Sequence, residues 1–187
     1  MREVDSGKEN PPGDPRYLLV IVPNKNERKD LLPSYKQDNK NLPLHIEILP
    51  PFYNPFKNEE ELIETTRTFC HQFSSFAIEI TNDFSRFPES KVIYYSFDGL
   101  SEQKLKELYI IALNSLRSDS THIEEGYKPH MSPPFEPTQE GEEETNGRAS
   151  LPIECKSALL YRGDEDEWIE VKRILFKKSN LLQEERE

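Results

Sequence analysis

The sequence predicts an α+β fold: two pseudo-symmetric lobes with mainly antiparallel sheets forming a central groove, helices on the outside. Three observations carry this reading. Strand signals outnumber helix signals and come in pairs between helices, the pattern of antiparallel sheets rather than of a doubly wound one. No Gly-rich phosphate loop follows any strand, so dinucleotide binding gains no support. A histidine segment occurs twice about half the chain apart, as LPLHIEILPPF at residues 42–52 and YKPHMSPPF at 127–135. A repeat at that interval suggests a duplicated lobe, with one histidine from each half.

Residues 1–15 are polar and rich in Pro, Asp and Glu, and read as a flexible tail without the apolar core of a signal peptide. Residues 17–22 (YLLVIV) form a continuous apolar run of strand length, buried on both faces, and Pro23 ends it. Residues 24–41 are polar with Pro33 in the middle, a loop carrying at most a short helix. Residues 44–49 make the second strand, which Pro50 and Pro51 should terminate because proline cannot donate to a ladder. Residues 58–73 are the clearest helix. Asn58 can cap it, Glu61 follows three positions later, and Glu59 and Glu60 suit the positive end of the dipole. Leu62, Ile63, Thr66, Phe69, Cys70 and Phe73 then mark one face.

Phe76, Ile78 and Ile80 alternate with Ala77 and Glu79, a half-buried strand. Turn formers and Pro88 separate it from a strand at 91–97 (KVIYYSF). A second helix spans 101–118, with Leu105, Leu108, Ala112 and Leu116 on its buried side. The next strand should carry His130. Residues 136–150 are acidic and aperiodic, a surface loop. Residues 157–161 and 168–176 read as a closing hairpin across RGDEDE. The boundaries are thus a tail at 1–15, one bilobal domain at 16–178 and a C-terminal tail at 179–187.

The 187 residues suffice for one domain with a real core. Lys and Arg number 24 against 35 Asp and Glu, a formal net charge of −11. That balance disfavours a long nucleic-acid track, which needs many cations, and leaves room for a small nucleotide or an RNA end. No apolar run approaches the length that spans a bilayer, so no membrane partner is expected. Cys70 and Cys155 are too few for a disulfide framework, and a reduced, cytoplasmic chain is the simpler reading. The chain is expected to act as a monomer.

The two histidine segments, the FAIEITNDFSRFP and KVIYYSF strands and the helix that follows each pair together resemble the 2H phosphoesterase superfamily. Its LigT-like branch comprises RNA 2′,3′-cyclic phosphodiesterases, also called 2′-5′ RNA ligases. The family's mark is His-x-Thr/Ser on two facing strands, and the resemblance covers roughly residues 17–176. Residues i and i+2 of a strand share a face, so His130 and Ser132 should project together into the groove. The resemblance implies a metal-independent phosphodiesterase without cofactor. In it His45 would be the acid that protonates the leaving ribose oxygen, His130 the base that activates water, and Ser132 a donor to the phosphate.

The first motif departs from this pattern, because Glu47 stands at the Thr position. An ionised carboxylate repels a phosphate and cannot donate to it. Glu47 could orient His45 or raise its pKa, read a sugar hydroxyl or base edge, or mark a lobe that has lost catalysis. The last option gives a binding module as the alternative function: a nucleotide sensor or protein-interaction domain. A third reading makes His45, Glu47 and His130 a two-histidine, one-carboxylate metal site. Tyr127, next to the second motif, is the leading candidate to stack a base, ahead of Trp168, Tyr94 and Tyr95. Lys128 and Arg162 are candidate phosphate cations. His71, His122 and Cys70 read as structural or surface residues.

Overall fold

A computed structural model describes residues 15–27, 42–86, 93–116, 129–132, 151–163 and 167–178. Residues 1–14 of the N-terminal tail, the C-terminal tail, the 136–150 loop, Tyr127, Lys128 and His122 lie outside the described residues. The described strands are β1 (Arg16–Ile21), β2 (His45–Tyr53), β3 (Phe76–Arg86), β4 (Ile93–Phe97), β5 (Met131–Ser132), β6 (Leu151–Cys155), β7 (Ser157–Gly163) and β8 (Trp168–Leu175). Helix α1 (Glu59–Cys70) follows β2, and α2 (Gly99–Leu116) follows β4.

The strands form one antiparallel array in the order β6-β3-β4-β5-β2-β1-β7-β8. The order divides evenly into two half-sheets. β6-β3-β4-β5 is one lobe and β2-β1-β7-β8 the other, and the two histidine segments meet at the seam between them. The α+β two-lobe architecture read from the sequence is the one observed. The array is strongly curled. Laid flat, six spacings of about 4.8 Å would set β6 roughly 29 Å from β7. Only Lys156 separates the two strands, and a two-residue step reaches about 7 Å. The chain leaving β8 then joins the segment entering β3: Lys177 N donates to the Phe73 carbonyl at 2.9 Å and Ser75 N to the Lys177 carbonyl at 2.7 Å.

Both helices pack on one face of the array. Leu19, Ile21, Ile46, Ile48, Ile78, Ile153 and Leu160 meet Leu62, Phe69, Leu105, Leu108 and Leu113 there in one continuous core. The start of α1 is as the sequence predicts: the Asn58 side chain accepts from Glu61 N at 2.8 Å, and three glutamates fill the first turn. Helix α2 begins two residues earlier than the apolar spacing suggested, because Asp98 caps it by accepting from Ser101 N at 2.9 Å. The Ser101 hydroxyl in turn accepts from Glu79 N at 2.8 Å, fastening the helix to β3.

Three strand readings need correction. β2 does not stop at Pro50 but runs to Tyr53. Tyr17 is level with Phe52 and Leu19 with Leu49, so Pro50 and Pro51 stand against Leu18 alone. A bulge leaves a residue unpaired, which is the place where a missing N–H does no harm. β3 likewise runs past Ile80 to Arg86 through a register shift. β6 has no counterpart in the sequence reading, since Pro152 and Glu154 interrupt a segment whose only strand signal is Leu151 and Ile153.

Candidate functional site

The seam is a short antiparallel ladder in which His45 is level with Ser132 and Ile46 with Met131. Met131 also pairs with Tyr95 of β4 on its other side. The two histidine strands are therefore direct neighbours at the middle of the array. The register is two-fold: each motif runs past the other about the Ile46–Met131 pair. The strand expected to carry His130 starts one residue later, at Met131, so His130 lies just beyond the ladder on the side of Glu47.

Burial separates the two faces here. Ile46, Ile48 and Met131 are buried in the core against the helices. His45, Glu47 and His130 are half-buried on the opposite face. On that face Leu18, Val20, Leu159, Tyr161 and Trp168 form a second apolar cluster, flanked by Val22 and Leu42. Val20 is the register partner of Glu47, so this cluster walls the site on the β1 side.

His45 Nδ1 lies 2.8 Å from the Pro43 carbonyl. A carbonyl only accepts, so Nδ1 carries the hydrogen and Nε2 is the nitrogen left for chemistry. Although the residue as a whole is only half-buried, dense packing around the ring dominates its titration. Burial pushes the imidazole below its ordinary value, the Pro43 bond partly opposes this, and the charge of His130 lowers it further. The two imidazoles thus lie within electrostatic reach of each other.

The other candidates sort clearly. Ser132 holds its register position opposite His45, while its side chain lies outside the described residues. The same holds for the side chains of Tyr94 and Tyr95. Trp168 belongs to the apolar wall rather than to an open stacking platform. Arg162 is engaged elsewhere: its guanidinium donates to Glu59 at 2.9 Å, and Tyr17 OH donates to the same carboxylate oxygen at 3.0 Å. Burial first, then that carboxylate, hold the Tyr17 hydroxyl above its usual pKa. Among the described residues no group of three or more His, Cys, Asp or Glu side chains is arranged to hold a metal ion. His71 is exposed at the end of α1. Cys70 is buried, with its thiol pushed up to about 12, a packing residue. Sequence reasoning missed the Pro43 carbonyl as the partner that orients His45, although a proline two residues before the histidine was in plain view. No helix among the described residues is long and apolar enough to cross a membrane.

Solved structures match this arrangement over most of the chain. LigT of E. coli complexed with ATP aligns at a TM-score of 0.55, covering 88% of this chain and 99% of LigT at 11% identity. The fold is LigT-like. TT0787 of Thermus thermophilus shares this LigT-like fold at a TM-score of 0.56 and 14% identity, over 88% of this chain and 99% of its own. Usb1 of Kluyveromyces marxianus aligns at 0.50 and 12% identity, over 84% and 97%. No family model and no curated protein matches the sequence. In this LigT-like fold each lobe supplies one copy of the histidine segment to the seam.

Proposed function

We propose that the protein is a phosphodiesterase acting on a 2′,3′-cyclic phosphate or a related nucleotide phosphodiester through its two histidines. The observation that carries this reading is the seam itself: His45 opposite Ser132, and the charge of His130 acting on His45. Two imidazoles on one half-open face can serve both sides of one phosphorus. One takes a proton from water as its oxygen bonds to phosphorus. The other gives a proton to the ribose oxygen as its bond to phosphorus breaks. Burial favours a neutral His45, so the pair is suited to hold one proton between them near neutral pH.

The substrate class finds support in the LigT structures, which were solved with 3′-AMP, ATP, NADP+ and phosphate. The net charge of −11 favours a mononucleotide or an RNA end over a long strand. Turnover of 2′,3′-cyclic nucleotides in the presence of a chelator tests the proposal. His45→Ala and His130→Ala should each abolish it, and wild-type rates in both variants would refute the mechanism. A binding module is the second reading, favoured by Glu47 at the hydroxyl position. Calorimetric nucleotide binding without turnover, and a gain of hydrolysis in Glu47→Thr, would establish it instead.

A further inference from the structure

The two-fold register gives each histidine a different neighbour. His45 is level with Ser132, whereas His130 immediately precedes β5, one position beyond the ladder on the side of Glu47. Side chains directly opposite each other in an antiparallel pair have Cβ atoms about 4.5–5.5 Å apart. At that range a carboxylate favours the charged form of an imidazole. Across the seam His45 is level with Ser132 instead, and its Nδ1 hydrogen is held by the Pro43 carbonyl. On the described strands flanking His130, the ionisable residues are His45, Glu47 and Tyr53 on β2 and Tyr94 and Tyr95 on β4, so Glu47 is the one carboxylate on those strands.

We propose that Glu47 is a positioning residue that makes His130 the proton donor and leaves His45 Nε2 as the proton acceptor. This rests on the phosphodiesterase reading and reverses the polarity that the family resemblance implies. In the step, water gives its proton to His45 Nε2 as its oxygen bonds to phosphorus. The ribose oxygen departs with the proton of His130, and solvent returns both histidines to their starting states.

The test is the titration of both imidazoles by NMR in the wild-type protein and in Glu47→Gln, Glu47→Asp and Glu47→Thr. In Glu47→Gln the His130 pKa should fall by about one unit or more, and Glu47→Asp should restore most of it. The His45 pKa should rise as the neighbouring positive charge is lost. Glu47→Thr repeats the neutralisation should the glutamine variant fold poorly. A His130 titration that moves by less than about 0.3 units in the neutral variants overturns the inference, whatever the activity. A parallel pH profile of kcat/KM on 2′,3′-cyclic AMP should show its alkaline limb moving to lower pH in Glu47→Gln. If His130 shifts but no variant turns over a cyclic phosphate, the electrostatic pairing stands and the phosphodiesterase reading falls.

Discussion

Replacing Ile46 by alanine should weaken the whole fold while striking the seam directly. Ile46 is 0% exposed and lies level with Met131, also 0% exposed, at the centre of the ladder joining the half-sheets. The substitution removes three carbons, each worth about 0.8 kcal/mol of burial, or roughly 2.4 kcal/mol. The unfilled cavity brings the loss to about 3–4 kcal/mol. A domain of this size holds about 5–15 kcal/mol, so the variant should still fold. With a urea slope of about 2 kcal/mol per molar, the unfolding midpoint should drop by about 1.5–2 M. Met131→Ala should behave similarly, and the double variant should deviate from additivity by at least about 0.5 kcal/mol because both side chains share one pocket. A loss below about 1 kcal/mol for Ile46→Ala, or strict additivity of the pair, would mean the seam does not bind the lobes together as described.

A Cβ on Gly163 would run into the backbone carbonyl of Glu167 at the β7–β8 hairpin, so Gly163→Ala should cost about 1–3 kcal/mol; a melting temperature within a degree of wild type would contradict the close approach. His45 has a folded pKa below its unfolded value near 6.5, so the unfolded chain binds the extra proton first and stability falls as pH drops from about 7 through the folded pKa. His45→Gln should lack this component, and parallel urea midpoints for the two proteins between pH 7.5 and 5 would count against a buried, neutral His45.

The sequence was informative where one residue type has one structural meaning. Asn58 with Glu61 marked the start of α1, and the alternation from Phe76 to Ile80 marked β3 as half-buried. The doubled histidine segment announced two lobes. It was uninformative where tertiary pairing overrides local chemistry. Pro50 and Pro51 are strand-breaking by propensity, yet the bulge opposite Leu18 accommodates them. Residues 151–155 carry little strand signal, and β6 exists because Ile153 pairs with Ile78 along a strand already in place. At the seam, residue types singled out His45, Glu47 and His130 as candidates, and the structure sets all three half-buried beside it. Residue types did not reveal that the two motif strands are neighbours, because strand order is a property of the whole array. Nor did they separate Arg162 from a phosphate ligand. Its commitment to Glu59 depends on α1 starting beside β7.

On the proposed reading, the seam also explains how a carboxylate is tolerated beside an anionic substrate. Alone, Glu47 would repel a phosphate charge about 5.5 Å away by about 3 kcal/mol at the screening typical of a protein surface. With His130 as the proposed proton donor, its charge beside Glu47 would offset that repulsion, so the pair would present little net charge to the phosphate. With a hydroxyl at residue 47, the two-fold register would give both imidazoles the same kind of neighbour across the seam. Acid–base catalysis by a pair works best when one partner starts protonated and the other does not. Placing one hydroxyl and one carboxylate at the two symmetry-related positions breaks the equivalence without disturbing the ladder. In this light the departure at residue 47 supplies the asymmetry that two identical motifs would lack.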